Sequence, residues 1–194
     1  VSETTEVTKA VIRFAGPADT ALILSFIREL AEYEKLALEV VATHEDLHEA
    51  LFGEKPRVFC DIAEIDGEAA GFALWFYNFS TFRGRHGIYL EDLYVRPAFR
   101  SNGIGRSLLS HLARRCRDEG LPRLEWWVLD WNEPALRFYR SIGAEPMSEW
   151  TVQRVSGEAL ERLAGDAAPA DTKQLDLMDE VMSEYGDTLR ALAK

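Results

Sequence analysis

Two stretches hold residue types and spacings able to do chemistry. Arg100-Ser101-Asn102-Gly103-Ile104-Gly105-Arg106 places two glycines between two arginines directly ahead of an apolar helical pattern. The first N–H groups of such a helix lack intrahelical acceptors, and the helix dipole adds its positive end to the guanidinium charges. The segment is therefore suited to an anion such as a pyrophosphate. It is no dinucleotide fingerprint, because a third glycine is missing at the required offset, and no Walker A loop, because no Gly-Lys-Ser/Thr follows. Taken alone, the same pattern also describes a tight turn without a ligand. Upstream, Gly87 to Val95 reads as a strand, with Tyr89, Glu91, Leu93 and Val95 on one face and Ile88, Leu90, Asp92 and Tyr94 on the other. On that pattern the adjacent carboxylates Glu91 and Asp92 project to opposite sides.

The charge balance narrows what these groups could serve. With 22 basic and 33 acidic side chains, the net charge of −11 argues against a general nucleic-acid or anionic-membrane binder and favours a cationic substrate. The length of 194 residues fits one domain with an appendage. Cys60 and Cys116 form no disulfide framework and no CxxC metal spacing, so a reducing cytoplasm is the expected compartment. Ala69 to Tyr77, the longest apolar stretch, is too short to span a bilayer, and the first ten residues lack the apolar core of a signal peptide. The four histidines are scattered, and His44 and His48 are expected on a solvated helix face, so no metal is expected.

The elements that must position these groups alternate between strand and helix. Residues 1–10 read as a loose arm and Val11 to Phe14 as a short strand. Asp19 is the expected N-cap of a helix with Ile23, Phe26, Ile27, Leu30 and Ala31 on its apolar side. A second helix opens at Thr43, where Asp46 completes a capping box, and its expected buried stripe is Leu47, Ala50 and Leu51. Val58 to Ile65 and Ala69 to Tyr77 form a hairpin around Asp66-Gly67. A helix from Ile104 to Arg117 buries Leu108, Leu109 and Leu112 and stops at Gly120. Leu124 to Leu129 is an expected strand. Asn132 caps a short helix with Pro134 in its first turn and Gly143 beyond its end. Trp150 to Val155 is an expected last strand, and Glu158 to Leu163 a terminal helical turn or two. The stretch 165–194, with seven acids and three bases, reads as a linker and an acidic helical extension to a domain over 11–164.

The run YLEDLYVRPAFRSNGIGRSLL, followed by LEWWVLDWNEPALRFYRSIGA, resembles the Gcn5-related N-acetyltransferase superfamily, and within it the spermidine/spermine (diamine) branch. The resemblance covers roughly residues 11 to 155. It implies an α/β (α+β) fold: a mixed, largely antiparallel sheet, splayed in the middle and flanked by helices. It also implies acetyl-CoA as cosubstrate, with Leu93, Tyr94 and Val95 beside the pantetheine, Arg100, Ser101, Asn102, Gly103, Ile104, Gly105 and Arg106 around the pyrophosphate, and Asn132 on the CoA arm. By the same resemblance, Tyr33, Glu34, Glu149 and Trp150 line the amine site, and the protein is a homodimer. Ser101 stands where many members have glycine, Phe82 lies near a common tryptophan position, and the C-terminal stretch is additional.

Amine acetylation gives these residues tasks. An aliphatic ammonium with pKa near 10.4 must lose a proton before attack, at a cost of about 4 kcal/mol at neutral pH, and a nearby carboxylate acting through water eases that loss. Glu91 is the candidate, as base through water or as substrate anchor, with Asp92 attracting the substrate or holding the strand. The departing thiolate needs a proton. A phenol near pKa 10 is protonated at working pH, and Tyr139, with four residues between it and the WNEP run, is the implied acid. A bulge that frees the N–H of Leu93 or Tyr94 would supply an oxyanion donor. The substrate is expected to be a diamine, a polyamine or a thialysine-like amino acid. Acetylation of a protein lysine or N-terminus, or silent acetyl-CoA binding, are the alternatives.

Overall fold

The computed structural model describes residues 10–165. They form two compact units, one ending at Phe138 and the other beginning at Tyr139. Apart from Ala10 and Gly165, the expected N-terminal arm and the acidic extension lie outside the described residues.

In the first unit the strands β1 (Val11–Phe14), β2 (Phe59–Ile65), β3 (Glu68–Ser80), β4 (Arg85–Val95) and β5 (Leu124–Glu125) form one sheet in chain order. The first four run antiparallel and β5 joins parallel to β4. This is the mixed, largely antiparallel sheet expected. At the β2–β3 turn, Asp66 and Gly67 take φ of 52° and 81°, the positive pair that a two-residue hairpin loop demands. Helices α1 (Thr20–Glu34) and α2 (His44–Phe52) serve one face of the sheet and α3 (Ile104–Asp118) the other. Phe26 of α1 stacks on Phe72 at 5.2 Å, whereas Trp75 and Tyr77, of opposite parity on β3, meet Arg115 and Glu119 of α3.

The α1 face is closed by Ile23, Phe26, Leu51, Cys60, Ile62, Phe72, Leu74 and Tyr94. Each large apolar side chain buried there contributes about 1.5–3 kcal/mol. Arg96, just past β4, grips Glu29 of α1 with Nε and Nη2, donates Nη1 to the Ala69 carbonyl and lies 4.6 Å from the Phe26 ring. This fork-to-carboxylate clamp ties the C-terminal half of α1 to the end of the strand that carries Glu91 and Asp92. Lys35 then ends α1 in the left-handed region, φ 64°.

Several local expectations fail for identifiable reasons. Asp19 stands at the expected N-cap position of α1 but makes no side-chain cap there: its carboxylate accepts from the Gly16 N–H and pairs with Arg13 at 2.7 Å, a stronger charge-assisted partner. On α2 the Thr43–Asp46 capping box forms, but Ala50 is exposed, and His48 leaves the solvated face to meet the Thr20 hydroxyl at 3.1 Å. β5 stops at Glu125 instead of Leu129, because β4 pairs with it only at Ile88 and Tyr89.

In the second unit, residues 151–156 form no strand, since alternation in sequence makes none without a hydrogen-bonded neighbour. Helix α4 (Glu133–Ser141) spans the junction of the units, and α5 (Gly157–Gly165) occupies the expected terminal helical turns.

Candidate active site

The site begins with a fault in the β3–β4 ladder. Trp75 pairs with Leu90 and Leu74 with Asp92, so two neighbours on β3 oppose three residues of β4, and Glu91 is the extra one. β3 alternates without interruption. Ile88 and Leu90, opposite Tyr77 and Trp75, therefore lie on the α3 face, while Asp92 and Tyr94, opposite Leu74 and Phe72, lie on the α1 face. The expected single-face sets are split at the bulge, and the strict alternation that sent Glu91 and Asp92 to opposite sides does not hold across it.

The consequence is an acidic cluster. Burial pushes the Asp92 carboxyl up to about 7, and the charges of Glu91 and Glu34 act in the same direction. Glu34, in the last turn of α1, is itself held above the usual carboxylate range by burial. Like charges gathered in a partly dry site favour the protonated form until a cation arrives. Cys60, on the same face, is no rival nucleophile: burial foremost, then the charges of Asp61, Asp19 and Asp92, push its thiol far up.

Beside the cluster the sheet is open. The β4–β5 ladder ends at Tyr89–Glu125, two residues before the bulge, which is the expected splay. Arg96 N–H donates to the Ala70 carbonyl, so the hydrogen-bonded pairs with β3 continue at Tyr94 and Asp92. By alternation the Leu93 and Val95 N–H groups face the open side, and Tyr94 N–H is committed to β3. Of the two amides expected as oxyanion donors, only Leu93 has the right direction. At the end of the strand, Ser101 and Gly103 take positive φ, 67° and 75°, and Gly103 precedes α3 without a side-chain cap. The first bond of the helix is Ser107 N–H to the Gly103 carbonyl at 2.9 Å, leaving the amides of Ile104, Gly105 and Arg106 without intrahelical acceptors. The glycine turn and its free helix-mouth amides are in place, with Asn102 holding the turn through the Phe99 carbonyl.

Arg100 and Arg106 are both exposed, but Arg100 is held by contacts. Its Nε donates to the Val95 carbonyl at 2.9 Å, and its guanidinium lies 5.0 Å from the Tyr33 ring and 5.7 Å from the Tyr94 ring. Tyr33 in turn donates its hydroxyl to Asn132 Oδ1 at 3.1 Å and packs 6.1 Å from Trp131. Asn132 is buried and caps α4 by accepting the Ala135 N–H. The structure thus gathers Tyr33, Arg100, Tyr94 and Asn132 in one set of contacts, and places Asp92 within the electrostatic reach of Glu91 and Glu34. Aromatic walls went unread in the sequence: Trp131, which directly precedes Asn132, and Tyr89, which meets Phe76 at 5.1 Å and Trp127 at 5.7 Å. Only Trp131 had a local signal, its place in the WNEP run.

In the second unit, Tyr139 is half-buried near the end of α4, and its carbonyl accepts from Ile142 and Ala144. Glu149 and Trp150 are exposed, on a turn closed by Trp150 N–H to the Met147 carbonyl. Among the described residues no group of three or more His, Cys, Asp or Glu could hold a metal ion, and no helix is long and apolar enough to cross a membrane.

An open sheet edge, a helix mouth of free amides and a neighbouring acid cluster together suit transfer from a phosphate-bearing donor to a cation. Residues 24–144 match the model of the acetyltransferase (GNAT) family. The chain belongs to that family. GNAT members use acetyl-CoA as the acetyl donor. The chain is 42% identical over 166 residues to a thialysine N-epsilon-acetyltransferase of Bos taurus, covering 80% of this chain and 97% of the relative. It is 29% identical over 197 residues to an L-ornithine N5-acetyltransferase of Arabidopsis thaliana, covering 78% and 86% respectively. Among solved structures, an integron cassette protein from the mobile metagenome of V.cholerae superposes with a TM-score of 0.68 at 28% identity, covering 80% of this chain and 97% of that one. Within this GNAT fold the β4 bulge and the glycine turn lie on one continuous strand-to-helix segment.

Proposed function

We propose that this acetyltransferase transfers acetyl from acetyl-CoA directly to the primary amine of a small cationic substrate: a thialysine-like amino acid, a diamine or a polyamine. The observation that carries the reading is the Glu34, Glu91 and Asp92 cluster at the bulge, a concentration of negative charge that a substrate ammonium relieves. The names of the relatives, which act on thialysine and ornithine, support the same class.

Asp92, more than Glu91, has the character of a proton acceptor. Handing a proton to a carboxyl near 7 instead of one near 4.3 narrows the gap to an amine by nearly three pH units, about 4 kcal/mol. The entering ammonium draws Asp92 toward ionisation, while Glu34 and Glu91 hold the cation. The amine nitrogen, once neutral, attacks the acetyl carbonyl and its C–N bond forms. The Leu93 N–H stabilises the oxyanion, the C–S bond breaks and the departing CoA sulfur takes a proton from Tyr139, the role its position after the WNEP run supports; the proton that the new amide nitrogen sheds returns through water to the phenolate. A homodimer in the cytoplasm belongs to the same proposal, supported by the family resemblance and by two buried free thiols.

The test is CoA release in the presence of acetyl-CoA, measured against thialysine, ornithine, diamines, polyamines and a lysine-bearing peptide. Turnover on a free amine and a fall of about 100-fold in kcat for Tyr139→Phe, with CoA binding unchanged, are expected. Turnover on the peptide alone, or CoA binding without transfer to any amine, overturns the reading.

A further inference from the structure

We propose that the Tyr33 hydroxyl serves the acetyl donor and not the amine. By fixing the orientation of the Asn132 amide, Tyr33 is a positioning residue for the coenzyme arm. The inference rests on the acetyl-CoA reading above and departs from the family expectation that Tyr33 and Glu34 jointly contact the amine.

The amide of Asn132 has two ends with opposite hydrogen-bonding character. Its Oδ1 takes the Tyr33 hydroxyl at 3.1 Å and the Ala135 N–H at 3.4 Å, so the carbonyl end is committed. The NH2 end is then the one left to donate, and the acceptors offered by a pantetheine arm are amide carbonyls. Without the phenol, the oxygen keeps only the longer capping bond from Ala135, and the amide is held by one contact in place of two. The Tyr33 ring is itself fixed from two sides. Arg100 of the anion cradle lies 5.0 Å from its centre and Trp131 6.1 Å, and Lys35, the next residue but one, sits 5.7 Å above Trp131.

Tyr33 therefore joins the C-terminus of α1 to the glycine turn through Arg100 and to the start of α4 through Asn132. Glu34 lies about 100° further around the helix, and its charge acts on Asp92. Neighbours in sequence, the two residues belong to different substrates.

Tyr33→Phe keeps the ring and removes only the hydroxyl. In calorimetric titrations with CoA and in steady-state kinetics with the amine that gives turnover, the variant should bind CoA about fivefold more weakly. Its KM for acetyl-CoA should rise to match, with the amine KM changed less than twofold. Asn132→Ala should weaken CoA binding as well, and Tyr33→Phe added to it should have no further effect, since the hydroxyl acts only through that amide. A raised amine KM with unaltered CoA affinity, or additive losses in the double variant, overturns the assignment and leaves acetyl transfer standing. Failure of the wild-type chain to bind CoA overturns both.

Discussion

Asp61 and Asp92 are carboxylates on opposite faces of one sheet, and their surroundings could hardly differ more. Asp61, on β2, is 1% exposed and looks toward α3. Trp75 Nε1 donates to its Oδ2 at 2.8 Å, and His111 Nε2 lies 3.3 Å from Oδ1, near enough for an ion pair but off the line of a hydrogen bond. Asp92, on β4, looks toward α1, and the charges acting on it are those of Glu91 and Glu34. Asp61 has a hydrogen-bond donor built in, whereas among the described residues the charges acting on Asp92 are of its own sign. A buried acid with its partner built in is a structural element, whereas one set among like charges is incomplete until something positive arrives.

The sharpest way to break this contrast is to neutralise each acid. Asp92→Asn keeps the shape and removes the proton acceptor, so kcat/KM for the amine should fall about 100-fold, while Asp61→Asn should stay within about threefold of wild type. Steady-state assays on both variants decide it: equal losses would erase the distinction between the two faces. Stability should show the reverse order. Asp61→Ala leaves the buried Trp75 N–H without an acceptor and opens a cavity, at a cost of about 3 kcal/mol in urea unfolding. Asp92→Ala should cost less than 1 kcal/mol at pH 8, because removing a half-buried charge set among like charges offsets the lost packing.

That contrast was only half legible in the amino-acid order. The glycine turn before α3, the Asp66-Gly67 hairpin and the Thr43–Asp46 box were readable because their hydrogen bonds close within a few residues. The bulge at Glu91 was not, since it arises where β4 meets the register of β3, and nothing in YLEDLYV marks it. A strict two-residue period therefore grouped Asp92 with Ile88 and Leu90, from which the bulge separates it, as well as with Tyr94, whose face it shares. The Asp19 side chain misled for a similar reason: the residue that draws its carboxylate from the capping bond is Arg13, on the preceding strand. Tyr33 and Asn132 were each named from motifs, but a hydrogen bond across 99 positions leaves no local trace.

The protonation of Asp92 also sets how stability varies with pH. The folded chain holds this proton up to about pH 7, and the unfolded chain releases it near the ordinary 3.8. Between those values the folded state binds more protons, so this contribution is complete below about 3.8 and is lost as pH rises through 7. Relative to Asp92→Asn, the wild-type chain should lose about 2 kcal/mol between pH 5 and pH 8, read from paired denaturant melts at both pH values. Parallel curves would show that the cluster does not hold the proton and would remove the main distinction from Asp61.

A smaller effect, outside both acids, checks that the contrast belongs to them. Ser101 holds φ at 67°, a conformation that costs a side-chain-bearing residue up to about 1 kcal/mol and glycine almost nothing. Ser101→Gly should relieve that strain, though glycine's greater freedom in the unfolded chain takes part of it back. The net gain in denaturant melts should be about 0.5 kcal/mol. The cradle amides keep their directions, so CoA affinity should stay within twofold, and the pH dependence of amine turnover should not move. A shift in that pH dependence would mean that the glycine turn and the acid cluster are mechanically joined, and Asp92 could then no longer be treated as governed by Glu34 and Glu91 alone.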